Sequence, residues 1–90
     1  MQELAQVRHE ITQLDEQITK LLCERLDAVK RVGRLKEKAE KSILDEKRER
    51  QVLENVANHS TDSEYIPYLS EIYQTIMQEA RAFQKAHKED

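Results

Sequence analysis

Turn formers are almost missing from this chain: its 90 residues include one glycine and one proline. Runs of β-branched residues are missing as well, and the charged fraction of 37% sits in helix-friendly Glu, Lys and Arg. These absences exclude a sheet-rich fold and leave an all-α one. The lone cysteine, Cys23, excludes an internal disulfide and suits a reducing compartment. Its place among leucines on a helix marks it as a core residue. A single glycine excludes a glycine-rich phosphate loop. The three histidines, His9, His59 and His87, lack ligand-like spacing, so no metal site is expected. No apolar run is long enough to span a membrane and no targeting segment stands out, so a cytoplasmic protein is expected.

What the chain does have is a long apolar seam. Leu4, Val7, Ile11, Leu14, Ile18 and Leu21, then Ala28, Val32 and Leu35, follow a 3-4 spacing that predicts one continuous helix over about 3–39. One seam position breaks the rule, because the place between Leu21 and Ala28 is filled by Arg25. Such a helix is about 50 Å long, more than a globule of this size is wide. It therefore needs a partner for part of its length, and so short a chain with a thin core favours an oligomer. Gly33 is the weak point of the helix, costing up to roughly 1 kcal/mol against Ala. Either another backbone packs closely there, or room is left for a ligand between Arg25 and Lys36.

The remainder reads as two shorter helices within one domain, residues 1–90. Periodicity lapses over Glu40 to Ile43, which marks a loop, with Ser42 as a plausible N-cap and Asp45 and Glu46 in the first turn of the second helix. That helix runs to about Asn58, with an inward face of Asp45, Arg48, Glu49, Val52, Leu53 and Val56. The polar stretch Asn58 to Glu64 is the clearest loop. A third helix spans about Glu64 to His87, with Pro67 in its first turn. Its apolar face is Leu69, Ile72, Tyr73, Ile76, Ala80 and Phe83, with Gln84 on the same side. His87 to Asp90 is expected to fray.

Charge is unevenly spread. The net charge is −3, yet ten Lys and Arg against six Asp and Glu lie between Arg25 and Arg50, a local +4 inside an otherwise acidic chain. That pattern suits a small anion better than nucleic acid. Lys30, Arg31 and Lys38 read as ordinary surface cations. Arg25 and Lys36 are eleven residues apart, which places them within about 20° on one helix face. Arg25 occupies a seam position where an unpaired charge is costly, so it needs an anion, either Glu49 or Asp45 or a ligand. A structural ion-pair network satisfies that need; so does a binding site in which several cations stand beside the neutral amide of Gln84. Arg8, seventeen residues before Arg25, lies about 25 Å along the helix. It can serve the same site only from a second subunit running antiparallel, in a twofold dimer with two shared sites. No nucleophile stands out, which points to binding or to electrostatic catalysis.

These residues resemble the all-helical class of chorismate mutases, small enzymes that convert chorismate to prephenate in aromatic amino acid biosynthesis. The likeness rests on R-x-x-I-x-x-L-D from Arg8 to Asp15, the pair Glu24 and Arg25, V-G-x-x-K from Val32 to Lys36, D-x-x-R-E over Asp45, Arg48 and Glu49, and Gln84 near the end. The resemblance implies a stand-alone, intertwined helical homodimer without cofactor or metal. It implies that Arg25 and Arg8 of the partner subunit bind the substrate carboxylates and that Lys36 and Gln84 donate to the ether oxygen. Glu49 would take the ring hydroxyl, and Asp45 and Arg48 would complete the pocket. Ala80 stands where the family often has a small hydroxyl residue, which leaves contact but no side-chain hydrogen bond there. The loop before the third helix is a few residues longer than in relatives. Two other readings are an isochorismate pyruvate-lyase of the same fold and a non-catalytic helical dimerisation module.

Overall fold

The long seam produces one long helix. In the computed structural model, which describes residues 1–88, α1 runs over Gln2–Lys38, α2 over Glu46–His59 and α3 over Ile66–Ala86, with a 3-10 turn at Ser63–Tyr65. Every described element is helical, as the scarcity of breakers predicts. Of the tail expected to fray, His87 caps α3, while Glu89 and Asp90 lie outside the described residues.

Each helix end has a local cause. Glu3 in the first turn of α1 and Lys36 and Lys38 in its last complement the helix dipole. The helix stops without glycine or proline because Glu40 takes up a left-handed conformation, φ 56°. The Glu40 N–H then donates to the Glu37 carbonyl at 3.1 Å and the Lys41 N–H to the Lys36 carbonyl at 2.7 Å, a Schellman closure. Ser42 does not cap α2. Asp45 does: its Oδ1 accepts the Arg48 N–H at 3.0 Å. Asp45 is thus the cap rather than a first-turn residue, since an aspartate at the last extended position caps as well as a serine three residues earlier. Helix α2 ends at His59, one residue beyond the expected Asn58. Asp62 opens the 3-10 turn by accepting from the Glu64 N–H at 2.8 Å. Pro67 falls in the first turn of α3, where its missing N–H costs nothing.

Helix α3 is the element the other two pack on, meeting α2 along one side and the C-terminal part of α1 along the other. Its buried surface is accordingly wider than one stripe. Among the described residues Met77, outside the predicted apolar face, is the most buried hydrophobic and Ala80 the other buried one, whereas Ile72 is exposed. The core amounts to little more than these two side chains and the half-buried residues around them.

The N-terminal part of α1 extends past this junction. Extents of 55 × 26 × 15 Å and a radius of gyration of 16.3 Å describe a rod with a thickened end, against about 12 Å for a compact chain of this length. Leu4, Val7, Ile11, Leu14, Ile18 and Leu21 are 43–62% exposed. Cys23 is exposed too, not a core residue, because no other element of the chain reaches that part of α1. Among the described residues no helix is long and apolar enough to cross a membrane.

Candidate active site

Gly33 sits where α3 comes close to α1. A Cβ placed on it would lie 3.1 Å from Cγ of Gln84, so the missing side chain makes room for a glutamine rather than for a second backbone or a ligand. With that clearance Gln84 lies across α1, and its Nε2 donates to the Val29 carbonyl at 3.0 Å. One N–H of the amide remains.

Beside it, at the end of α1, Lys36 reaches toward the connection to α2, where its Nζ donates to the Ile43 carbonyl at 3.0 Å. The ammonium keeps two donors. Eleven residues earlier the half-buried Arg25 stands with its guanidinium carbon 5.8 Å from the centre of the Tyr73 ring, a cation–π contact. Among the described residues, the aromatic face rather than a carboxylate is what Arg25 meets. Helix α2 begins opposite. Asp45 spends one oxygen on capping, and Glu49, a turn further on, is held by a residue that sequence reasoning passed over: Nη1 of Arg81 lies 2.5 Å from each of its carboxylate oxygens.

These side chains line one groove of about 290 Å3, near the lower end for small-molecule sites. Helix α1 supplies Arg25 and Lys36 to it, the start of α2 supplies Asp45, Arg48 and Glu49, and α3 supplies Ala80, Arg81 and Gln84. The floor is apolar, formed by Val29, Val32, Val52 and Met77. Seven of the eight residues singled out in the sequence thus share one cavity. The eighth, Arg8, does not: it is exposed on α1, about 25 Å along the axis from Arg25. A larger open groove of about 950 Å3 shares Lys36, Arg81 and Gln84 but touches none of Arg25, Asp45 and Glu49. The smaller one is the better candidate, because all three helices line it, and it gathers Arg25, Asp45 and Glu49 with Lys36 and Gln84 over a floor of valines.

The ion-pair alternative is narrowed by this arrangement. Among the described residues Arg25, Lys36 and Arg48 have no ionic partner, and Glu49 is paired from α3 rather than from α1. Four cations against two carboxylates line the groove, a net charge of +2 among its lining residues. Arg81 could have been found in the sequence: it is the only basic residue of α3 before the last turn, set among acidic and apolar neighbours.

The sequence model of the family described as "Chorismate mutase type II" matches residues 7–85 of the chain. Among curated proteins, a bifunctional chorismate mutase/prephenate dehydratase from Aquifex aeolicus (strain VF5) is 43% identical over 56 residues, a stretch covering 62% of this chain and 16% of that protein. The chain thus spans a small part of the length of the curated relative it matches. No solved structure gives a significant match.

Proposed function

Because the chain belongs to the chorismate mutase type II family, we propose that it is an isomerase catalysing the Claisen rearrangement of chorismate to prephenate in the groove between α1, α2 and α3. The reaction is unimolecular. One C–O bond of the ether breaks as one C–C bond forms, and no atom enters or leaves. Such a reaction needs neither a nucleophile nor a cofactor, only a folded substrate conformer held in place and charge stabilised on the ether oxygen.

The observation that carries the reading is the net +2 groove whose donors are partly unspent. Two surplus positive charges complement a dicarboxylate. Arg25 offers a planar fork to one carboxylate. The remaining N–H groups of Lys36 and Gln84 are the donors for the ether oxygen. Glu49 keeps lone pairs for the ring hydroxyl while Arg81 occupies others. Asp45 and Arg48 form the wall at the start of α2, and Ala80, buried at 7% exposure, offers contact only. The second carboxylate is assigned to Arg8 of the partner subunit.

That assignment requires a homodimer. The exposed seam supports one: covering six half-exposed aliphatic residues per subunit is worth roughly 1 kcal/mol each before the costs of association. An antiparallel arrangement of two α1 helices about a twofold axis would bring each Arg8 toward the other subunit's groove. We place the protein in the cytoplasm, in keeping with its single unpaired cysteine, and read residues 1–90 as one chorismate mutase domain.

The test is to add purified protein to chorismate, follow the loss of its absorbance and identify the product by chromatography. Prephenate supports the isomerase. No conversion overturns it; release of pyruvate from isochorismate would then favour the lyase, and inertness toward both the dimerisation module.

A further inference from the structure

Arg81 stands at an unusual place. With Glu49 and Met77 it lines both the candidate site and a neighbouring groove of about 380 Å3 that also holds Arg50. The pair Arg81–Glu49 is therefore the partition between the two. A single nitrogen of Arg81, Nη1, touches both carboxylate oxygens, which ties the carboxylate to the α3 side of the partition while each oxygen keeps lone-pair capacity. Glu49 is a flexible side chain of α2 with a cation available on either side: Arg81 holds it at the partition, while Arg50 lies one residue on, toward the outer groove. Both members are largely shielded, with side chains 32% and 25% exposed.

We propose that Arg81 is a positioning residue for Glu49, keeping its carboxylate aimed into the candidate site with free lone pairs toward the substrate; this rests on the isomerase reading above. Each carboxylate oxygen has room for a second hydrogen bond, so the hold and the acceptance of a ring hydroxyl are compatible. Arg81 acts through Glu49, and removing it lets the carboxylate turn toward Arg50. A purely structural ion pair would join α2 to α3 and nothing more. The two roles separate by readout: a purely structural pair moves the melting temperature and leaves kcat/KM unchanged, whereas the positioning role moves kcat/KM, and only while Glu49 is a carboxylate.

The experiment measures kcat and KM for chorismate, with thermal melting, in the wild type, Arg81→Met, Arg81→Lys, Glu49→Gln and the double variant Glu49→Gln/Arg81→Met. Arg81→Met is expected to lower kcat/KM by roughly ten- to a hundredfold, the scale of an ångström-sized misplacement. Arg81→Lys restores most of that loss, since a point charge still holds the carboxylate. In the Glu49→Gln background Arg81→Met changes kcat/KM by less than about twofold. Equal losses in both backgrounds, or a wild-type rate in Arg81→Met, overturn the proposal. If Arg81→Met does not fold, Arg81→Gln replaces it, and failure of both to fold makes the pair structural and also overturns it. An inactive wild type is a different result: it removes the isomerase reading and this inference with it.

Discussion

The two ends of α1 carry the same apolar spacing and meet opposite surroundings. From Val29 to Lys36 the helix lies against α3, with a glycine beneath Gln84 and donors turned into a groove. From Leu4 to Leu21 it has no neighbour, and its apolar residues are half exposed. The difference shows that periodicity fixes which face of a helix is to be covered and says nothing about whether the same chain covers it. One end of the rod carries the candidate site, and the other carries an exposed seam with Arg8 on it.

The largest effect that sharpens this comparison lies at the site end. Lys36→Ala is expected to reduce kcat by about a hundred- to a thousandfold, the scale of losing one donor to a developing oxyanion. The melting temperature should change little, because the Lys36–Ile43 hydrogen bond is on the order of 1 kcal/mol. Steady-state kinetics beside a thermal melt checks both. Near-normal turnover would detach Lys36 from the chemistry.

At the seam end Leu14→Glu asks what covers the helix. On a lone chain, a substitution at a residue 54% exposed would be nearly neutral. Against a second α1 it places a charge in an apolar interface, and sedimentation should show dimers giving way to monomers. Mixing two inactive variants links the seam to the site. Arg8→Ala and Arg25→Ala subunits combined in equal amounts should regain about a quarter of the wild-type sites, since half of randomly paired dimers hold one site built from two intact arginines. Mixtures as inactive as their components would break the assignment of Arg8 across the interface.

The sequence made the helices legible because the signals are local: the 3-4 spacing, Pro67 at a helix start, the polar stretch before α3. It also singled out eight candidate residues of which seven line one groove. What it missed depended on contacts between helices. Arg81 was passed over, because its pairing shows only when α3 is set beside Glu49. Cys23 looked like core because its neighbours in sequence are leucines, although Leu21 and Cys23 are themselves exposed. Met77 escaped because a helix flanked on two sides buries more than one stripe. Gly33 was left between two readings and turned out to serve a third, clearance for Gln84.

That last contact gives a smaller effect. Gly33→Ala would set a methyl 3.1 Å from Gln84 Cγ, and the glutamine must move by a few tenths of an ångström. Alanine gains up to about 1 kcal/mol in helix propensity, so stability should hold or rise slightly while kcat falls several-fold. A slower enzyme that melts no earlier would separate a positioning glycine from one needed only for packing, whereas unchanged kcat would show that Gln84 tolerates the shift.

The smallest effect lies at the turn between the ends of the site. Glu40 is the one described residue other than glycine with a positive φ, 56°, and it takes that conformation because the Schellman closure of α1 demands it. A left-handed conformation costs a residue with a Cβ roughly 1 kcal/mol, and glycine nothing. Glu40→Gly should therefore raise stability by up to about 1 kcal/mol, less the greater freedom glycine has in the unfolded chain. Denaturant titration reads the change directly. The kinetics carry the sharper question, because the Lys41 N–H to Lys36 carbonyl bond closes the same turn from which Lys36 reaches Ile43. A more stable protein with unaltered kcat would mean that this turn holds Lys36 in place without strain. A more stable protein with altered kcat would mean that the left-handed glutamate helps to set where the ammonium stands.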